Sequence, residues 1–111
     1  MPITRFTLFK IPREEDIPPM IEQYQNLQKK ALKDGKPYIL AVEAGATLPD
    51  QRTQGHTLAV RTVFESLEDM KFYDTECEAH KALKGVAGPK KVGDVLTVFF
   101  EDKVGSGKGE V

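Results

Sequence analysis

The chain has 111 residues, a mass of 12.4 kDa and a formal net charge of −1, so one domain is favoured and no overall field attracts nucleic acid or anionic lipid. Hydrophobic residues make up 40% and charged residues 30%, which is typical of globular proteins and not of disordered ones. The sequence shows no ~18-residue apolar run and no N-terminal secretory signal, and its lone Cys77 excludes an internal disulfide. We therefore expect a cytoplasmic protein with neither membranes nor nucleic acid as partners.

The first third of the chain predicts a strand and a long helix. Residues 3–11 are rich in Ile, Phe and Thr, which favour strands. A helix of about five turns follows, with Asp16 as its N-cap and Gly35 just beyond its last turn. Its apolar stripe consists of Ile17, Met20, Ile21, Tyr24, Leu27 and Ala31.

Two further strands follow, at residues 38–45 and 56–65, and an exposed polar loop separates them. Ser66 then begins a helix with a sequence close to a capping box. A second helical segment covers about residues 76–84 and ends at Gly85.

Residues 92–101 predict the last strand, and residues 102–111, with three Gly and four charged groups, predict a flexible tail. The domain is therefore expected to span residues 1–101. The element order β-α-β-β-α-β is that of the ferredoxin-like split unit. We expect an α+β fold, with a four-stranded antiparallel sheet and helices on one of its faces.

The first and last strands carry large apolar side chains on both faces. In the first strand, Phe6 and Leu8 point one way, and Ile3, Phe9 and Ile11 point the other. Helices cover only one face, so the other would expose more apolar surface than monomers usually tolerate. A second copy is the simplest cover, which predicts a homodimer shaped as a dimeric α/β barrel. The predicted interface residues are Ile3, Phe9, Val98 and Phe99, although the sequence leaves open which face of the last strand meets the partner.

Several short motifs, in this order and spacing, resemble the stress-response A/B barrel (Dabb) family of dimeric α/β barrels over residues 3–101. In the first strand, Arg5-Phe6-Thr7-Leu8-Phe9-Lys10 resembles the family pattern His-x-x-Leu-Phe-Lys, and Glu43-Ala44-Gly45 resembles the end of its second strand. Val63-Phe64-Glu65-Ser66 resembles the Thr-Phe-x-Ser step from the third strand to the helix, and Tyr73 and His80 resemble the Tyr…His-Pro-x-His segment of that helix. Val92-Gly93-Asp94 resembles the residues that lead into the last strand. Arg5 stands where the family often has His. Glu76-Cys77-Glu78 replaces the His-Pro.

The resemblance implies a pocket and candidate catalytic residues. Family members that cyclise polyketides use one histidine in the third strand and one in the helix. His80 matches the helix position and could act as acid or base, with Tyr73 orienting a phenol or carbonyl. The strand position is Leu58, and His56 lies two residues earlier on the same face. We expect Phe6, Tyr24, His56 and Leu58 to contact a ligand; for Tyr24 and His80, roles in packing remain the alternative.

Other candidate sites are weaker. Cys77 and His80 are three residues apart on a helix, but no third catalytic group is identifiable, and a small buried thiol is the simpler interpretation. Their spacing lacks a second ligand cluster, so we expect no metal and no cofactor. Arg61, inside a strand, either holds an anionic ligand or forms a salt bridge. The third strand carries aliphatic residues where RNA-recognition domains carry aromatic ones, and this argues against RNA binding.

Two functional classes therefore remain. The first is a homodimeric scaffold or binding protein with a helix-side pocket for a small apolar or aromatic ligand. The second is a cofactor-independent enzyme, similar to polyketide cyclases or monooxygenases, in which His80 moves a proton and Tyr73 donates a hydrogen bond. The sequence favours the first class because Leu58 replaces the second histidine.

Overall fold

Residues 2–105 are described in the computed structural model, and they form one four-stranded antiparallel sheet with helices on one face. The main strands are β1 (Ile3–Phe9), β4 (Ile39–Ala46), β5 (Leu58–Phe64) and β6 (Leu96–Glu101), and a small hairpin is made of β2 (Leu32–Lys33) and β3 (Lys36–Pro37). The helices are α1 (Ile17–Lys30), α2 (Leu67–Thr75) and α3 (Glu78–Ala87). The strand order β4-β5-β1-β6 confirms the predicted ferredoxin-like fold.

Two predicted helix ends are wrong. The first helix ends at Lys30, because Asp34 and Gly35 both have positive φ and form the two-residue turn of the β2–β3 hairpin. Asp16 is the N-cap residue of that helix, as predicted, although its side chain makes no capping hydrogen bond. Helix α3 continues through Gly85 to Ala87, beyond its predicted end. The predicted cap at Ser66, which precedes α2, is confirmed, because the Ser66 Oγ accepts a hydrogen bond from the Asp69 amide.

The core lies between the sheet and the helices. Strand β1 alternates strictly, with Ile3, Arg5, Thr7 and Phe9 buried on the helix side. Ile3 is 6% and Phe9 5% exposed in a single chain, so their predicted place at the dimer interface is wrong. The sequence alone does not distinguish the two faces of β1, because both carry large apolar side chains and only the packed helices show which one is covered.

The opposite, uncovered face of the sheet is apolar along β1 and β6. Leu96, Val98 and Phe100 point to this face, and Phe100 stacks on Phe6 with ring centroids 6.2 Å apart. Phe99 lies on the helix side of β6, so it cannot share this face with Val98, as the predicted interface required. We call Phe6, Leu8, Leu96, Val98 and Phe100 the open apolar face.

Two further predictions concern charge and chain ends. Arg61 forms an ion pair with Glu43 across β4 and β5, at 2.7 Å, which answers the question of what balances its charge. Of the expected tail, residues 102–105 have no helix or strand, and residues 106–111 lie outside the described part of the chain. Within the described residues, every helix is too short or too polar to cross a membrane.

Candidate functional site

A cavity of about 310 Å³ lies between the sheet and the helices. Its floor comes from alternate residues of β1, β5 and β6, because only every second side chain of a strand faces the helices. The sheet residues that line it are Arg5, Thr7, Phe9, Val60, Thr62 and Thr97. The helices add Tyr24, Tyr73, Asp74, His80, Leu83, Lys84 and Ala87, and Lys91 and Val95 complete it.

The imidazole of His80 is fixed in this cavity by α2. Its Nδ1 lies 2.8 Å from the backbone carbonyl oxygen of Tyr73, and its ring stacks on the Tyr73 ring at 3.7 Å with an interplanar angle of 9°. A carbonyl oxygen only accepts, so Nδ1 carries the proton and Nε2 keeps a lone pair. Burial lowers the pKa of His80 to about 4, and the charges of Lys84 and Arg5 act in the same direction. The side chain is therefore neutral near pH 7.

Arg5 brings a permanent charge into the same cavity. The residue is 7% exposed, and its Nη1 donates to Asp74 Oδ2 at 2.8 Å. The guanidinium carbon also lies 5.2 Å from the centre of the Tyr73 ring, within the range of a cation–π interaction. Asp74 Oδ1 is 4.0 Å from His80 Nδ1, so one carboxylate lies between the cation and the imidazole.

Two phenols complete the polar part of the cavity. Burial raises the pKa of Tyr24 and of Tyr73 above the usual range for a phenol, so both hydroxyls stay protonated at any physiological pH. A protonated phenol both donates and accepts a hydrogen bond. The cavity therefore combines a neutral base, a cation and two hydroxyl donors with an apolar lining.

Comparison with known proteins identifies the family. The model of the Stress responsive A/B Barrel Domain (Dabb) matches residues 3–99. The chain belongs to the Dabb family. A Gibberella zeae protein described as a Fusaristatin A biosynthesis cluster protein is 39% identical over 105 residues, which cover 95% of this chain and 76% of that protein.

Solved structures share the fold at low identity. A dimeric ferredoxin-like protein of unknown function from Bacteroides fragilis superposes with a TM-score of 0.72 and 24% identity, covering 91% of this chain and 96% of that one. A hydroxynitrile lyase from Passiflora edulis gives a TM-score of 0.69 and 18% identity, covering 91% and 94%. At these identities the likenesses show the fold alone.

The Dabb fold brings together three of the predicted site residues and leaves out three. Tyr24, Tyr73 and His80 all line the cavity. Phe6 does not, since it points to the open apolar face. Leu58 is fully buried in the core, and His56 precedes β5 with its Nδ1 3.0 Å from the Thr53 carbonyl oxygen.

The sequence did not assign the charged residues of the cavity, Arg5, Asp74, Lys84 and Lys91. For Arg5 a signal exists in the two-residue period of the strand, which places it on the same face of β1 as Phe9, another residue that lines the cavity. Cys77 is buried just before α3 and lies outside the cavity lining. Among residues 2–105, no three His, Cys, Asp or Glu side chains are grouped as a metal site would require.

Proposed function

We propose that this Dabb protein is a homodimer whose helix-side cavity binds a small molecule with an aromatic or apolar body. The observation that carries the proposal is the cavity of about 310 Å³, which a single chain forms and lines with Phe9, Tyr24 and Leu83. Ligand sites are typically concave, largely apolar and supplied with a few polar groups, as this one is.

The open apolar face supports the dimer. Leu96, Val98 and Phe100 are each about half exposed, and they lie side by side on β6. Contiguous apolar patches of this kind mark association surfaces. The helix-side cavity lies on the opposite side of the sheet, so two sheets can pack face to face while both cavities stay accessible.

Binding is tested with 2-naphthamide, a neutral aromatic probe, by saturation-transfer NMR and calorimetry. Ala87 lines the cavity and is buried, so Ala87→Leu should reduce the cavity volume and weaken binding at least tenfold. Ala82 lies on the same helix but is exposed, and Ala82→Leu is the matched control that should leave binding unchanged. Equal binding by both variants would contradict the proposal.

A second function, cofactor-independent proton transfer, is favoured by the fixed tautomer of His80. Its Nδ1–H is held by the Tyr73 carbonyl, which leaves the Nε2 lone pair to accept a proton. In this function, a C–H bond next to a substrate carbonyl breaks, its electrons form an enolate, and Nε2 holds the proton until it returns to carbon. The Tyr73 hydroxyl donates a hydrogen bond to the developing enolate oxygen. With its pKa near 4, His80 is a weak base, suited to C–H groups between two carbonyls.

A further inference from the structure

The polar side of the cavity has an excess of positive charge. Of the described residues that line it, Arg5, Lys84 and Lys91 are cationic, and Asp74 alone is anionic. The Asp74 carboxylate is already bound to Arg5, and the backbone carbonyl oxygen of Asp74 accepts a hydrogen bond from Lys84 at 3.4 Å. Neutral His80 does not change this balance. The cavity therefore carries a field that attracts anions.

Two buried donors on residues that line the cavity have no hydrogen-bond partner within residues 2–105. They are Nε of Arg5 and Oγ1 of Thr62. Arg5 and Thr62 are paired directly across β1 and β5, and both face the helices, so the two side chains are neighbours on the cavity floor. A buried donor without an acceptor is costly, and a charged one most of all. An acceptor that carries negative charge would satisfy both donors.

We propose that the ligand of this cavity is an aromatic or apolar carboxylate, whose two oxygens accept hydrogen bonds from Arg5 Nε and the Thr62 hydroxyl. This inference rests on the proposed binding function and names the class of its ligand. The apolar body packs against Phe9, Tyr24 and Leu83, and Lys84 and Lys91 attract the anion from the rim. One carboxylate has two acceptor oxygens, one for the guanidinium N–H and one for the hydroxyl.

The test compares 2-naphthoate with 2-naphthamide, which have the same ring and differ in the charge of the polar group. Calorimetry on the wild type should show 2-naphthoate binding at least about tenfold more tightly, since a hydrogen bond to a charged group is worth that factor. Arg5→Met should abolish this preference while retaining 2-naphthamide binding. Asp74→Asn removes the competing carboxylate and should tighten 2-naphthoate binding several-fold.

Asp69→Asn is the control for Asp74→Asn, because Asp69 lies on the same helix but pairs with Lys33, outside the cavity. It should leave both affinities unchanged. If Arg5→Met fails to fold, Asp74→Asn decides the question. Equal wild-type affinities for the two probes would overturn the carboxylate proposal and leave cavity binding intact. Failure of both probes to bind would overturn the proposed function, and the carboxylate proposal with it.

Discussion

Arg5 and His80 line the same cavity, yet burial affects their charges differently. A guanidinium is not deprotonated in proteins, so Arg5 keeps its charge and takes Asp74 as a partner. The imidazole loses its proton instead, because burial lowers its pKa to about 4. Arg5 therefore supplies the cavity with a permanent positive charge, and His80 supplies a nitrogen lone pair. These are the groups needed to bind an anion and to accept a proton from it.

Proton transfer is tested at the scale of single residues by deuterium exchange into ethyl acetoacetate, followed by NMR in D₂O. The wild type should exchange the C–H between the carbonyls faster than buffer, and His80→Gln should lose about a hundredfold of that excess. His56→Gln is the control, since His56 lies outside the cavity. The excess rate should fall as pH drops through about 4, because protonated His80 cannot accept a proton. An unchanged rate in His80→Gln would assign His80 to binding or packing alone.

The sequence predicts the cavity residues that a helical spacing or a family motif marks, but it does not predict the charged ones. Tyr24 belongs to the apolar stripe of α1, and Tyr73 and His80 belong to a family motif, so all three were predicted to lie at the pocket. Arg5 stands out in the sequence only as a departure from the His of the family, and a charged residue in a strand is usually exposed. Its burial depends on Asp74, 69 positions away, and no local pattern reports such a distant partner.

At the scale of elements, glycines explain where boundary predictions failed. Gly35 is a good helix-ending residue and equally a good hairpin residue, and the preceding Asp34 with positive φ shows that the hairpin prevails. Gly85 predicts a helix end at that position, but α3 continues to Ala87. That extra turn adds Ala87 to the cavity lining, and for this reason the extent of the site could not be predicted from the helix signals alone.

Gly85 gives a prediction about the stability of α3. It is exposed inside the helix, and a Cβ built there meets nothing within 4 Å. Gly85→Ala should therefore raise the free energy of unfolding by about 0.5–1 kcal/mol, measured by urea denaturation at fixed protein concentration. Gly35→Ala is the opposite control, since its φ of 78° should make that variant less stable. A destabilised Gly85→Ala variant would mean that the glycine serves a packing role in the assembled protein.

At the scale of the whole molecule, the two faces of the sheet have different surroundings. The helix side forms the core and the cavity, whereas the open apolar face stays uncovered within the described chain. The sequence predicted the fold and the need for a partner from the two-sided β1 and β6. It assigned Ile3 and Phe9 to the wrong face, because both faces of β1 carry large apolar side chains and only the packed helices distinguish them.

Adjacent phenylalanines on β6 provide the test of the dimer. Phe99 and Phe100 are 51% and 46% exposed but point to opposite sides of the sheet. Phe100→Lys places a charge in the proposed interface, at a cost of several kcal/mol, and should convert the dimer to monomers in light scattering at micromolar concentration. Phe99→Lys introduces the same charge at similar exposure on the helix side and should leave the dimer intact. A wild-type mass near 12.4 kDa would overturn the dimer, and dissociation by Phe99→Lys alone would place the interface on the other side of β6.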